Sequence, residues 1–242
     1  RAGLCQPTRR TNAKNQRLAI TGQLTNNPPM PRPSQAQDQA LLDAGAALYP
    51  QLGCAALSVR KVAEAAGVNP AMVHYHFGSK DAFLTAVLQQ VYESMFSRLQ
   101  AASEPGQGLA GDVMARLART LFALGSFVRE HRPLVGRLWA DAMAGQGVVV
   151  AFVKANVPRH LGLLMTLLAE AEQAGRLRPE PMLTRMSFIA GAVLAPMLML
   201  GGAREMGVMP AMLAPLLDAQ VMSDEALQRR IDWALDALKD SE

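Results

Sequence analysis

Only two cysteines occur in the 242 residues, Cys5 and Cys54, and they form no spaced cluster. That speaks against a disulfide framework and a cysteine-based zinc site, and it suits a reducing cytoplasm. Aromatic residues make up 5% of the chain and β-branched runs are short, so little favours a sheet. The basic N-terminal stretch lacks the apolar core of a signal peptide. There is no nucleophile motif, no Gly-rich phosphate loop and no metal-ligand cluster. Neither an enzyme nor a cofactor is expected. His74 and His76 stand two apart, on different sides of a helix, and make a poor metal pair.

What is abundant is helix-forming residues: Ala, Leu, Met, Gln, Arg and Glu dominate, and half the chain is hydrophobic. An all-α protein with a sizeable core is the expectation. The sequence pI of about 9.4 is local in origin. Residues 1–34 carry Arg1, Arg9, Arg10, Lys14, Arg17 and Arg32 and no acid; beyond them 18 basic residues face 20 acidic ones. Residues 35–81 hold three basic and four acidic side chains. Any role with nucleic acid must therefore rest on a motif, not on net charge. Residues 1–34 lack hydrophobic periodicity, contain Asn26-Asn27-Pro28-Pro29, and read as disordered. They are either a phosphate-touching arm or non-native leader sequence. The second is preferred, because no initiating Met is present and Met30 sits just before the first helical pattern.

From Gln35 the pattern turns helical. Leu41, Ala44, Leu48 and Leu52 share one face, Gly53 ends the run, and Pro50 is expected to tighten or kink its last turn. The informative stretch is Ser58 to Lys80, SVRKVAEAAGVNPAMVHYHFGSK. Ser58 caps a first helix whose inner face is Val59, Val62, Ala63 and Ala66. Gly67 makes the turn. Asn69 caps a second helix with Pro70 in its first position. Val68, Val73 and Phe77 point to the core, Gly78 stops the helix and Ser79 caps another. Two short helices on a tight turn form a helix-turn-helix.

The run A-E-A-A-G-V-N-P-A-M-V-H-Y-H-F-G-S-K-D-A-F resembles the signature of TetR/AcrR-type transcriptional regulators, over about residues 35–95. The resemblance implies a three-helix DNA-binding domain at 35–81 joined to a helical effector-binding and dimerisation domain at 82–242. It also implies a sequence-specific DNA-binding regulator, usually a repressor, in the cytoplasm at the nucleoid. The second helix, about 69–76, should enter the major groove with its N-terminal residues at base edges. Asn69, Ala71 and Met72 are expected to face outward, and Arg60 matches a position that reaches a base or phosphate. By resemblance Tyr75 and Lys80 contact phosphates, and the free N–H groups after Ser58 and Ser79 can hold them too. His74 stands where an aromatic is common. His76 is as much a packing candidate as a DNA ligand, and Asn69 is a cap before it is a reader.

A long helix should follow Ser79, then helices about Leu109–Val128, Leu134–Ala142 and Val148–Ala174, the last bent or divided by Pro158. Residues 186–203 carry no charge, but Pro196, Ser187 and several glycines weaken a membrane reading. A buried helix or subunit contact explains them better, and no membrane partner is expected. The resemblance implies a homodimer through 182–203 and 225–238. The expected partners are a pseudo-palindromic double-stranded operator and a small apolar effector. Eleven of the 14 methionines follow residue 110, which suits an adaptable pocket or an ordinary core. Arg116, Trp139, Asn156 and His160 are the effector-site candidates. The alternative is a constitutive dimeric DNA-binding protein without a ligand.

Overall fold

The computed structural model describes residues 33–106 and 111–239, so most of the expected leader lies outside the described residues. Those described are helical, with no strand among them. The order is α1 (Pro33–Ala56), α2 (Val59–Ala66), α3 (Ala71–Phe77), α4 (Lys80–Ser103), α5 (Val113–Glu130) and α6 (Arg132–Met143). Then come α7 (Gly147–Gln173), α8 (Met182–Val193), α9 (Ala195–Glu205), α10 (Ala214–Leu217) and α11 (Asp224–Asp236). A 3₁₀ turn (Ala211–Leu213) and a π turn (Asp218–Met222) flank α10.

α1–α3 form the head and α5–α11 the body, and α4 belongs to both. Its first half buries Phe83, Leu84, Val87 and Leu88, while Tyr92, Met95 and Leu99 are buried in its second half. α4 packs on α1 and α3 at one end and on α5 and α7 along its length. α6 lies between α1 on one side and α7 and α9 on the other. α11 packs on α5 and α8.

Several expectations are modified. Gly53 does break α1, with φ 67° and ψ −178°, but a final turn continues to Ala56. Pro158 does not divide α7, which runs as one helix of 27 residues. The 182–203 segment does divide: Leu194 separates α8 from α9, and Pro196 falls in the first turn of α9, where its missing N–H is not needed. The apolar face of 225–238 needs no second subunit. Leu227, Ile231, Ala234, Leu235 and Leu238 are buried within the same chain. Arg185, its side chain fully buried, is held by Glu172 at 3.0 Å and by the Arg178 carbonyl at 2.9 Å, which ties α8 to the end of α7.

α1 comes closest to α4 at Gly45. A methyl added there would lie 2.6 Å from Val87 Cγ2 and 2.8 Å from Phe83 Cζ, both side chains being buried. Alanine would gain about 1 kcal/mol of helix propensity. Overpacking a close-packed site costs about 1–3 kcal/mol, so the clash wins. We expect Gly45→Ala to destabilise in urea denaturation, and Gly45→Ala with Val87→Ala to be less unstable than the two single losses added together. Strict additivity would show that this approach does not limit packing.

Candidate nucleic-acid interface

The local chemistry of the head follows from its caps. Ser58 Oγ accepts the Lys61 amide at 3.3 Å and starts α2; Gly67, with φ 67°, ends it. Asn69 Oδ1 accepts the Ala71 amide at 2.9 Å and the Asn69 carbonyl accepts the Met72 amide at 2.9 Å. Asn69 therefore caps α3, with Pro70 already helical behind it. Ser79 Oγ accepts the Ala82 amide at 3.1 Å and starts α4. Val62, Ala63 and Val73 are buried beneath, so the two short helices are fixed relative to each other by their inner faces.

The outer surface is built from the remaining residues. Arg60 and Lys61 are exposed in the first turn of α2, and Asn69, Pro70 and Ala71 are exposed at the start of α3. Tyr75 is 79% exposed, with no burial to hold an aromatic ring there. His74 is exposed, and its Nδ1 lies 3.2 Å from the Gly78 carbonyl at the end of its own helix. Lys80 is half-buried and donates from Nζ to the Ala55 carbonyl at 3.4 Å.

Two of the expected DNA-facing residues are turned elsewhere. Met72 does not face outward but is half-buried and packs against the head core. His76 has a side chain only 8% exposed, with Nδ1 against the Asp38 carboxylate of α1. The reason is helical phase: both lie near Val73 and Phe77, on the side of α3 that closes the core.

Of the four effector candidates only Asn156 and His160 come together, at Tyr92. Asn156 is buried on α7, exchanging hydrogen bonds with Gln89 at 3.0 and 3.1 Å. His160, one turn on, has its Nδ1 3.4 Å from the Tyr92 hydroxyl, and burial lowers its pKa. Arg116 lies on α5, paired with Glu170 at 2.6 Å and donating to the Ser103 carbonyl at 2.7 Å. Trp139 is 59% exposed on α6. None of the four lines either of two surface hollows, one of about 520 Å³ beside Phe122 and Gln228, the other of about 220 Å³ beside Arg185 and Phe188. Among the described residues no group of three or more His, Cys, Asp or Glu could hold a metal ion.

Comparison with known proteins agrees with this geometry. Residues 41–87 match the model of the bacterial regulatory proteins of the tetR family. The likeness to that family is carried at this level by the head alone. Curated relatives include the HTH-type transcriptional regulator BetI of Brucella melitensis biotype 2, 30% identical over 87 residues, which are 34% of this chain and 44% of that protein. BetI of Rhizobium meliloti is 27% identical over 89 residues, 35% of this chain and 44% of that one. The match thus spans less than half the length of these relatives. The fold extends further. A putative TetR-family regulator from Rhodococcus sp. superposes with a TM-score of 0.59 at 19% identity, over 85% of this chain and 100% of that one. The TetR-family regulator PfmR of Thermus thermophilus gives 0.57 at 20% identity, over 83% and 99%. The TetR-family likeness is therefore at sequence level in the head and at fold level across the body.

Sequence reasoning missed one polar residue between head and body. Asp141 of α6 is buried, and its Oδ2 accepts the Cys54 amide at 2.7 Å and the Tyr49 hydroxyl at 3.0 Å, both from α1. An isolated Asp in an apolar helix carries no spacing signal, so nothing in the sequence marks it.

The different surroundings of Tyr75 and His76 separate surface from support. Tyr75→Ala should change stability by less than about 0.5 kcal/mol. His76→Ala should cost about 1–3 kcal/mol, because it unseats Asp38 and thins the head core. Chemical denaturation of the two variants checks this; equal losses would contradict the assignment.

Proposed function

We propose that the protein is a sequence-specific, double-stranded-DNA-binding transcriptional regulator that works as a homodimer. The single observation behind this is the exposed edge of the helix-turn-helix. Arg60, Lys61, Asn69, Pro70, Ala71, His74 and Tyr75 stand out of a head whose inner faces bury Val62, Ala63 and Val73. Asn69 and Ala71 are placed for base edges, Ala71 through a thymine methyl. Arg60, Tyr75 and the amide ends at Ser58 and Ser79 suit phosphates. Lys80 can reach phosphate only by sharing or releasing the Ala55 carbonyl. With three bases against four acids in residues 35–81, affinity must come from these few donors and not from a broad positive field.

The expected segments 182–203 and 225–238 still supply candidates for a two-fold contact, but on the faces away from Leu227, Ile231 and Leu235. Leu235 is buried inside the subunit, so an Asp there would unfold it and not test an interface. Among the exposed apolar residues of these segments are Leu183 and Phe188 on α8, Met199 on α9 and Trp233 on α11. α8 packs on both α9 and α11, and exposed apolar side chains on neighbouring helices suit an interaction surface. A two-fold contact would place two α3 helices in successive major grooves, with half-site centres about 34–36 Å apart or a multiple of it.

Release by a small apolar effector is the finer part of the reading. It is supported by the Met-rich body and by the buried polar group of Asn156, His160, Gln89 and Tyr92 beside α4. An effector acts only by binding one conformation better than the other. The constitutive alternative predicts no ligand-induced thermal shift from any compound that lowers DNA affinity.

Selection of duplexes from a randomised library by the full chain should return a pseudo-palindrome. Arg60→Ala should cost about 1–3 kcal/mol and relax one operator position if it reaches a base. Lys80→Ala should weaken specific and non-specific DNA alike. Trp233→Asp should give folded monomers by sedimentation. Recovery of no duplex would overturn the DNA reading, and monomeric wild-type protein at micromolar concentration would overturn the dimer.

A further inference from the structure

We propose that Asp141 is a positioning residue that fixes where the head stands on the body; its reading through DNA half-site spacing rests on the function proposed above. The contact is built at the end of α1. At Gly53 the backbone enters the left-handed region, φ 67°, and turns the following amide toward α6. Asp141 Oδ2 accepts that Cys54 N–H at 2.7 Å and the Tyr49 hydroxyl at 3.0 Å. There is no space for a side chain at the kink. A methyl on Gly53 would lie 2.9 Å from Arg137 Cδ and 3.1 Å from each Asp141 oxygen.

The residues held in this way lead directly to the DNA face. The Leu57 amide donates to the Gly53 carbonyl at 3.1 Å, closing the last turn. The Ala55 carbonyl within that turn takes Lys80 Nζ at 3.4 Å from the start of α4. Ser58, the cap of α2, comes next, and Arg60 follows two residues later. A five-residue strut, 53–57, is thus gripped by α6 through Asp141 and by α4 through Lys80. Its far end carries the first exposed cation of the motif.

Stability alone gives a poor account of the carboxylate. Burying it is costly, and a shape-matched apolar pair would hold two helices together at less expense. The nearest cation, Arg137, is at 3.9 Å and partly exposed, which makes a weak pair. What a carboxylate does and a leucine does not is fix direction. One oxygen receiving two donors from α1 defines the register of α6 against it. The donors are firmly donors: burial, then the hydrogen bond to Asp141, raises the Tyr49 pKa and keeps the hydroxyl protonated. On its other side α6 packs on α7 and α9, so it connects the body interior to the strut.

The test uses the full-length chain. Spin labels are placed at the exposed positions Glu64 on α2 and Gln173 on α7, with Cys5 and Cys54 replaced by Ser and labelled chain diluted in unlabelled chain. Head-to-body distances are compared for the parent, Asp141→Ala, Asp141→Asn and Tyr49→Phe. Asp141→Ala should shift and broaden the distance distribution, and Asp141→Asn, which keeps an acceptor oxygen, should restore most of it. Tyr49→Phe, which leaves the Cys54 bond in place, should fall between and remains informative if Asp141→Ala does not fold. On the duplex selected by wild type, Asp141→Ala or Tyr49→Phe should lower the preference for the selected half-site spacing over spacings one base pair longer or shorter. For Asp141→Ala the loss should be about tenfold, the scale of one lost base-pair preference. Unchanged distances and spacing preference with only a lower melting temperature would overturn the proposal. If wild type selects no duplex, the DNA reading fails, and the distance measurement still decides whether Asp141 sets the head.

Discussion

The structure depends on α4 being buried at both ends. A helix of 24 residues that is half head and half body must satisfy two cores at once. Phe83 and Val87 meet α1, while Tyr92, Met95 and Leu99 are buried where α5 and α7 pack. No flexible linker separates the units, so the head has no independent freedom to tumble. Its orientation is a property of the body. The approach of α1 at Gly45 and the hydrogen bonds at Asp141 and Lys80 all act on this one arrangement.

The sequence was most legible where local rules decide structure. Ser58, Asn69 and Ser79 are caps, Gly67 and Gly78 are stops, and each appears in the structure in that role, because capping involves only the next three residues. The all-α class, the order of the helices and the TetR likeness were readable for the same reason. Legibility fell where a side chain's surroundings come from distant parts of the chain. Met72 and His76 sit in a motif that reads as a surface, yet helical phase turns them to α1 and the head core. Asp141 gives no sign in its neighbours, and its meaning depends on residues 87 and 92 positions earlier.

The body shows the same limit in another form. Periodicity says which face of α11 is apolar, but not which apolar surface will cover it. α5 and α8 cover it within one chain, while Leu183, Met199 and Trp233 are left exposed. The long apolar stretch divides at Leu194 for a reason that is legible, since Pro196 favours a first turn over a helix interior. Among the polar residues of the body, Arg116 and Arg185 serve as ion-pairing struts between helices, and Asn156 serves a buried amide exchange with Gln89.

The internal covering of α11 also has a bearing on dosage. A subunit whose last helix is already packed against its own core can exist folded and alone. The pairing proposed above would then be an equilibrium laid over folding, not a condition of it. Under that proposal the dimer would rise with the square of subunit concentration when subunits are scarce. Occupancy of a binding site becomes steep in the amount of protein made, and a regulator controlling its own synthesis would gain a sharp threshold without any change in its contacts to DNA.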